Sequence, residues 1–404
     1  MSSVLDRPSA TDADRELRAD LVGRAAKLLP LLAANARRGD DERLIAEENI
    51  TAVEEAGLLS LMRPERFGGL QTDVRTLLEV SRELAKGCGS TSWVVTLLNV
   101  CSWFAALWPA EAQADVWRER PNSRVAGVLT PSGTARPVDG GYLVSGRWSY
   151  ASGSAHAQWA LLGVPIPGAD GEPADQGLVL VPAAELAIED TWFVSGMRGT
   201  ASNTLVGEDI FVPAHRYLSV PKAIQGEVAT PFTEEPLYRA AFVPVAALVL
   251  AGPQLGLATA ALDFVLEKAP KRTVTYTFYE TQSAAPTVQL AVARAASLID
   301  SAHLHAYRAA AEIDESAHRG VYPDYEARAK TRMDTGVAVG YAREAIRILM
   351  SAHGAASFAE SSPLQRIWRD SEVASRHAVA SPEISAEVYG KSLLGIRGDV
   401  TPLV

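Results

Sequence analysis

The stretch Gly196-Met-Arg-Gly-Thr-Ala-Ser-Asn203, which leads into Val206-Gly-Glu-Asp-Ile-Phe-Val-Pro213, is the part of this chain that decides its fold. Its first half is a loop in which glycines flank an arginine and hydroxyl side chains follow. Its second half belongs to a predicted strand over 205–212. Such a loop suits the polar, anionic or carbonyl-rich edge of a ligand. A surface loop whose hydroxyls cap turns is the alternative interpretation.

The residues around this stretch predict a β domain over 121–222. Asp139-Gly-Gly141, followed by the apolar run 142–144, is typical of a hairpin. Further strands are predicted over 159–162 and 177–181. Several short strands at this spacing predict a small sandwich or barrel.

Helical periodicity flanks the β domain on both sides. An N-terminal helical domain is predicted over 1–120, and it contains an apolar helix over 91–107 that we expect to be buried. A C-terminal four-helix bundle is predicted over 223–404. Its candidate helices are 242–267, 284–316, 325–353 and 363–394. The predicted fold class is therefore α+β, with helices, then a β-barrel or sandwich, then a bundle.

Composition limits the partners and the compartment. A net charge of −10 argues against nucleic acid and against an anionic membrane surface. The uncharged run 240–262 is long enough to span a membrane, but prolines and a glycine interrupt it, which favours a buried bundle helix. Residues 1–15 carry no apolar signal core, and two cysteines suit a reducing compartment, so a cytoplasmic protein is predicted.

Two further segments carry side chains suited to chemistry. Gly146-Arg-Trp-Ser-Tyr-Ala-Ser-Gly153 combines aromatic residues with small hydroxyls, which suits a planar heteroaromatic ligand such as a flavin. An ordinary barrel strand is the alternative. Arg366-Ile-Trp-Arg-Asp370 precedes His377 on one predicted helix, where a spacing of seven puts Asp370 and His377 on the same face. That histidine could act as a general base or stabilise an oxygen intermediate, with a packing role as the alternative.

Most motifs of known chemistry are absent from the sequence, including the phosphate-binding loop, the dinucleotide G-x-G-x-x-G, HExxH and G-x-S-x-G. No metal site is predicted. A helix would point His303 and His305 away from each other, and His318 adds no convincing third ligand.

Together the three segments resemble the acyl-CoA dehydrogenase superfamily over nearly the whole chain. Gly146-x-x-x-Tyr150-x-Ser152-Gly153 is similar to the flavin-edge strand of that family, and the segment 196–213 is similar to the connection leaving its β domain. The resemblance implies the same order of three domains. It also implies a homotetramer in which a neighbouring subunit helps to hold the flavin.

The sequence departs from the dehydrogenases at the catalytic base. Dehydrogenases carry a glutamate near the last helices or on the first bundle helix, which removes the substrate proton. Here those stretches read Ser375-Arg-His-Ala-Val379 and Pro244-Val-Ala-Ala-Leu248, and no acid occurs between Glu235 and Asp263. The chain more closely resembles the two-component, reduced-flavin-dependent monooxygenases built on this fold. Ser90-Thr-Ser-Trp93, Gly196-Met-Arg-Gly-Thr200 and Trp368-Arg-Asp370 with His377 carry this resemblance.

The resemblance implies a role for each matching residue. Catalytic roles fall to His377, near the flavin C4a, and to Ser152, which hydrogen-bonds the flavin near N5. Arg272 is implied to reach the cofactor phosphates, across a subunit interface. The residues implied to bind the cofactor are Thr130, Trp148, Tyr150, Ser152, Arg198, Thr200, Ser202, Arg272, His353, Gly354 and Ala355.

The same resemblance implies the reaction and its partners. A separate NAD(P)H-flavin reductase would supply FADH2 by diffusion, with FMNH2 as the alternative. The reduced flavin would react with O2 to a C4a-hydroperoxyflavin, which hydroxylates an electron-rich aromatic substrate. Phenol hydroxylases of this branch often carry a second histidine where this chain reads Leu98-Asn-Val-Cys-Ser102, and its absence favours an indole over a phenol. The alternatives are an amino-sugar N-oxygenase, an acyl-CoA dehydrogenase and a binding protein that has lost the flavin.

Overall fold

The computed structural model describes residues 11–168 and 173–404. Residues 1–10 of the predicted N-terminal domain, and with them most of the segment 1–15, lie outside the described residues. The described chain is helical up to Trp117, forms strands from Val125 to Ser219, and is mainly helical again from Val220 onwards.

Helices make up the N-terminal region. Thr11 starts the first of them with a capping box, in which the Thr11 hydroxyl accepts from the amide of Asp14 while the Asp14 carboxylate accepts from the amide of Thr11. All residues of the fourth helix except Leu97 are buried, so the predicted buried helix is confirmed. The helices are α1 (Asp12–Glu42), α2 (Glu47–Glu55), α3 (Val74–Ala85), α4 (Gly89–Ala105) and α5 (Ala110–Trp117).

The middle region contains two four-stranded sheets packed face to face. The strands are β1 (Val125–Val128), β2 (Gly133–Val138), β3 (Gly141–Trp148), β4 (Trp159–Pro167), β5 (Pro173–Pro182), β6 (Ala187–Glu189), β7 (Thr204–Pro213) and β8 (Tyr217–Ser219). Their orders are β1-β4-β5-β8 and β2-β3-β7-β6. The predicted hairpin is confirmed, because β2 and β3 pair in antiparallel register and Gly140 takes the positive φ of 78° that a short turn favours.

The C-terminal region is a helical bundle. Its helices are α6 (Val220–Ile224), α7 (Phe242–Leu248), α8 (Ala251–Lys268), α9 (Pro286–Arg319), α10 (Tyr325–His353), α11 (Pro363–Ala374) and α12 (Pro382–Leu393). The predicted helix 325–353 matches α10. The prediction of one helix over 242–267 was wrong, because Pro253 has no N–H to bond the carbonyl of Val249 and the segment divides into α7 and α8.

The prediction of one helix over 363–394 was also wrong. A proline disfavours the helical conformation in the residue before it, and Pro382 does so at Ser381, whose side chain instead caps α12. His377 lies in the break between α11 and α12. It therefore does not share a helix face with Asp370, contrary to the sequence-based prediction.

The apolar run 240–262 overlaps the one stretch of the described residues, Phe242–Lys271, that is long and apolar enough to cross a membrane. In the structure 78% of its most apolar window is buried inside the protein. The interpretation as a buried bundle helix is confirmed.

A buried carboxylate, that of Asp314, connects the bundle to the N-terminal region. Asp314 of α9 accepts hydrogen bonds from the amides of Val74 and Arg75, at 3.0 and 3.1 Å, and so caps the start of α3. Burial raises the pKa of Asp314 well above its usual value, and the nearby Asp73 carboxylate adds to this. The bundle thus supplies a polar group that α3 needs for its own N-terminus.

Candidate active site

Four segments converge where the three regions meet, and a chain of buried hydroxyls marks the place. Ser152, in the turn after β3, has its Oγ 2.6 Å from the Oγ of Ser202, and that atom lies 2.7 Å from Oγ1 of Thr200. The hydroxyl of Thr200 donates to the carbonyl of Met197 at 2.8 Å. The amide of Gly153 donates to the carbonyl of Thr200 at 3.1 Å, which keeps the turn and the loop together.

Trp93 of α4 connects this hydroxyl chain to His377. Its indole N–H donates to Ser152 Oγ at 3.3 Å. Its ring centroid lies 5.9 Å from that of the His377 imidazole, with the planes tilted by 55°. The two residues predicted to be catalytic, Ser152 and His377, therefore face a common indole, although 225 positions separate them in the printed sequence.

The loop that carries Thr200 and Ser202 has a strained backbone. Met197 and Ala201 adopt left-handed conformations, with φ of 53° and 45°, and each such non-glycine residue costs roughly 1–3 kcal/mol. Asp370 of α11 accepts a hydrogen bond from the Met197 amide at 2.6 Å. Gly196 approaches the same helix so closely that a Cβ would lie 2.1 Å from the carbonyl oxygen of Arg369. Contacts with α11 therefore hold the loop in shape.

Asp370 is buried, and desolvation raises its pKa to about 6. The hydrogen bond from the Met197 amide lowers the pKa, but by less than desolvation raises it. Its other oxygen, Oδ2, lies beside Gly89 at the start of α4. The carboxylate thus contacts the loop and the N-terminus of α4.

His377 is exposed in the break between α11 and α12, and its ring lies close to that of Trp93 within dense surroundings. Desolvation by these surroundings lowers the pKa of His377 to about 4. Among the described residues no carboxylate faces the imidazole to stabilise a positive charge, so its pKa lies below the near-neutral value of an ordinary histidine. His377 is therefore a neutral imidazole at physiological pH.

The other aromatic residues predicted around the flavin have different surroundings. Tyr150 is 71% exposed, with a left-handed φ of 67°, and its ring meets the Trp192 ring edge-on at 5.8 Å. Trp148 is fully buried between the two sheets, and its indole donates to the carbonyl of Gly163 at 2.8 Å. The prediction that Trp148 lies beside a flavin ring was wrong, because it offers no accessible face. Thr130 is exposed just beyond the end of β1.

Arg198 connects the loop before β7 to the N-terminal helical region. Its Nε donates to the carbonyl of Asp40 in α1 at 2.8 Å, and Nη1 donates to the carbonyl of Val194 at 3.0 Å. The Asp40 carboxylate pairs with Arg369 of α11 at 2.6 Å. These contacts fasten α1, the loop and α11 to one another, and they do not support the prediction of Arg198 as a flavin ligand.

A cavity beside the bundle helices brings together the residues predicted to hold the far end of the cofactor. Arg272 and the segment His353-Gly-Ala355 line one cavity of about 790 Å³ beside α9 and α10. The Arg272 Nε and the His353 Nδ1 are buried without a hydrogen-bond partner among the described residues. Desolvation and the nearby Arg272 and Lys268 lower the pKa of His353, so this imidazole is neutral. The cavity therefore offers polar atoms that a phosphate or a nucleoside would satisfy.

Asn99 and Cys101 lie in the segment where phenol hydroxylases often carry a second histidine, and both side chains are buried. The Asn99 amide donates to the carbonyls of Leu58 and Val95, at 2.8 and 2.9 Å. Burial in apolar surroundings raises the pKa of Cys101 to about 12. Neither side chain can serve as a base.

Two contributors to the site were not predicted as site residues. Trp93 lies within the Ser90-Thr-Ser-Trp93 segment that carried the resemblance, but nothing in the sequence indicates that its indole reaches Ser152. The position of Asp370 beneath the loop also depends on long-range packing. In the described ranges 11–168 and 173–404, no three His, Cys, Asp or Glu side chains are grouped as metal ligands.

Comparison with known proteins identifies the class of the fold. Residues 11–120 match the N-terminal domain of acyl-CoA dehydrogenases, and residues 248–382 match their C-terminal domain. The helix–sheet–helix order and these matches together define an acyl-CoA dehydrogenase-like protein, as the sequence predicts.

More similar relatives define the branch. The chain is 35% identical over 373 residues to the flavin-dependent monooxygenase, oxygenase subunit HsaA, of Mycobacterium tuberculosis, which covers 91% of this chain and 94% of that protein. It is 34% identical over 389 residues to the FADH2-dependent resorcinol hydroxylase, oxygenase component, of a Rhizobium species, covering 93% and 94%. The structure of XiaF from a Streptomyces species, in complex with FADH2 and glycerol, superposes with a TM-score of 0.92 at 39% identity, covering 96% and 98%. The chain belongs to the oxygenase components of flavin-dependent monooxygenases.

Proposed function

We propose that this chain is the oxygenase component of a two-component monooxygenase that hydroxylates an electron-rich aromatic small molecule. The observation that carries the proposal is the meeting of Ser152, Trp93 and His377 at the junction of the three regions, in a chain of this family. A separate NAD(P)H-flavin reductase supplies reduced flavin by diffusion. The bound reduced flavin supplies the activation of O2, from which one oxygen atom passes to the substrate and the other leaves as water.

The proposed flavin site combines the region around Ser152 in one subunit with the cavity beside α9 and α10 in its neighbour. Ser152 contacts the flavin near N5, and the exposed ring of Tyr150 borders the opening. Arg272, His353, Gly354 and Ala355 line a cavity where two buried polar atoms lack partners among the described residues. There they hold the phosphates and adenosine of a flavin whose ring lies in a neighbouring subunit. Since FMN has no adenosine to place there, this cavity favours FAD.

His377 contributes a neutral imidazole to the same site. A neutral imidazole donates one hydrogen bond and accepts another, so His377 can hold a proton close to the oxygen that is transferred without adding a positive charge. Its packing against Trp93 fixes the orientation of the ring.

The favoured substrate is an indole or another aromatic molecule that needs no deprotonation. Asn99 and Cys101 offer no base at the position where phenol hydroxylases often carry a histidine. A phenol-like substrate is the second candidate, because a relative at 34% identity is named as a resorcinol hydroxylase. An amino-sugar N-oxygenase is the remaining alternative on this fold.

We further propose a cytoplasmic homotetramer in which Arg272 reaches the flavin of a neighbouring subunit. Large apolar side chains are exposed on the bundle side, which suits burial between subunits. Those that carry the proposal are Tyr276, Phe278, Leu290 and Leu304.

The test combines the protein with a flavin reductase, NADH, FAD and ¹⁸O2. Separate reactions receive an indole, a phenol, an amino sugar and an acyl-CoA. Mass spectrometry should find one ¹⁸O atom in an aromatic product, and chemically reduced FAD should replace the reductase with the same product. Reduction of enzyme-bound FAD by the acyl-CoA would establish a dehydrogenase instead, and ¹⁸O on the amino-sugar nitrogen would establish the N-oxygenase.

A further inference from the structure

The hydrogen bonds that link Ser152, Ser202 and Thr200 all run in one direction. That direction is set at the Thr200 end, where the acceptor is a carbonyl. A carbonyl oxygen carries no hydrogen, so the 2.8 Å contact between Thr200 Oγ1 and the Met197 carbonyl requires the Thr200 hydroxyl to donate. The same carbonyl accepts from the Trp192 indole at 2.9 Å. The Met197 amide is in turn bound to Asp370 at 2.6 Å, which holds this peptide in place.

The direction passes along the chain because each hydroxyl has a single hydrogen. Thr200 uses its hydrogen on Met197, so it accepts from Ser202 across the 2.7 Å contact. Ser202 has then used its hydrogen, so it accepts from Ser152 across the 2.6 Å contact. The Trp93 indole can only donate, and it also gives its hydrogen to Ser152. Ser152 therefore presents a lone pair, and no hydrogen, to a ligand.

We infer that Thr200 and Ser202 are positioning residues that make Ser152 an obligatory hydrogen-bond acceptor, so that the site selects reduced over oxidised flavin. The inference rests on the proposed contact between Ser152 and the flavin N5. Reduced flavin carries a hydrogen on N5 and donates it to Ser152. Oxidised flavin has a lone pair on N5, which meets the lone pair of Ser152 and repels it.

The discriminating variant is Thr200→Val, which removes the hydroxyl while keeping the shape of the side chain. Ser202 then has no acceptor at Thr200 and turns its hydrogen to Ser152, which frees the Ser152 hydrogen for the N5 of oxidised flavin. Dissociation constants are measured for FAD by fluorescence and for dithionite-reduced FAD by anaerobic titration. The preference for reduced FAD should fall about fivefold to tenfold, the factor of one hydrogen bond. The midpoint potential of bound FAD should fall by about 20–30 mV.

Three further variants separate this effect from loss of structure. Ser202→Ala removes the acceptor of the Ser152 hydrogen and should change the preference in the same direction. Thr200→Ser restores the hydroxyl and should restore the wild-type preference. Thr204→Val is the matched control, because Thr204 bonds Thr191 and Ser149 in a neighbouring hydroxyl group that does not include Ser152.

An unchanged preference in both Thr200→Val and Ser202→Ala, with reduced FAD still bound, would overturn the inference and leave the proposed function standing. Equal weakening of both redox forms would also overturn it, since that is the result of a purely structural role. Failure of the wild-type protein to bind reduced FAD at all would instead contradict the proposed function.

Discussion

His377 carries no positive charge at physiological pH, because its surroundings lower its pKa to about 4 and no carboxylate among the described residues faces the ring. We expect His377→Ala to fold and to bind flavin nearly as the wild type does, while reduced flavin is consumed with release of H2O2 in place of product. Loss of one acid–base group lowers the step it serves by about 10²-fold or more. The ratio of product to H2O2, at equal reductase supply, measures the effect.

The pH dependence provides an independent measurement of the same residue. A lowered pKa keeps His377 neutral above about pH 4. We therefore expect His377 to add no pH dependence to the wild-type ratio of product to H2O2 between pH 6 and 8. Towards pH 4, protonation of His377 should lower that ratio. His377→Asn is the control, because Asp370 titrates in both proteins and its contribution cancels. Wild-type coupling in both His377 variants would show that the imidazole only packs against Trp93.

Ser152 offers a second prediction at the scale of one side chain. Ser152→Ala should weaken the binding of reduced FAD by about 1 kcal/mol, because one hydrogen bond to the cofactor is lost. The matched control is Ser149→Ala, whose hydroxyl lies in the same turn but bonds Thr204 at 3.2 Å. Equal dissociation constants for the two variants and the wild type would assign Ser152 to the turn alone.

At the scale of elements, α11 determines the shape of the loop before β7. The carboxylate of Asp370 has its pKa raised from 3.8 to about 6 by burial. Because the folded pKa exceeds the unfolded one, keeping the carboxylate charged destabilises the fold increasingly as the pH rises from 4 through 6, and fully above that. Asp370→Asn removes this dependence.

We therefore expect the stability of Asp370→Asn relative to the wild type to increase by about 2 kcal/mol between pH 4 and pH 8. Urea unfolding of both proteins at the two pH values measures the change. A difference that does not vary with pH would show that Asp370 has the same pKa in the folded and unfolded proteins.

The elements also show what the sequence could and could not predict. The hairpin at Gly140 and the buried helix α4 follow from local signals, turn residues and an unbroken apolar run, and both were predicted. The break between α11 and α12, which contains His377, was not predicted. Pro382 is a local signal for that break, but the apolar pattern continues across the break. The contacts of Trp93 with Ser152 and of Asp370 with Met197 join residues 59 and 173 positions apart. Periodicity describes each element separately and carries no information about such pairs.

At the scale of the whole molecule, the exposed apolar side chains of the bundle predict its assembly. Leu304 of α9 is 53% exposed, and a charge there should oppose burial between subunits. We expect Leu304→Glu to lower the mass measured by sedimentation equilibrium at micromolar concentration. Phe211→Glu, at an exposed site on β7, is the control that should keep the wild-type mass. A wild-type protein that sediments only as a monomer would contradict both the tetramer and the role of Arg272 across an interface.

The pairing of Asp40 with Arg369 joins residues 329 positions apart, and it has a consequence for how the protein is made. A ribosome completes the strands of the β domain well before it reaches α11. Until α11 emerges, Gly196 lacks the helix that it approaches closely and the Met197 amide lacks its acceptor, so the strained loop is held by fewer contacts. Domains generally fold as units during synthesis, but here the loop that carries Thr200 and Ser202 gains its full set of contacts only after nearly the whole chain has been translated. If this loop binds flavin as we propose, we expect nascent chains that lack α11 to bind flavin more weakly than the finished protein.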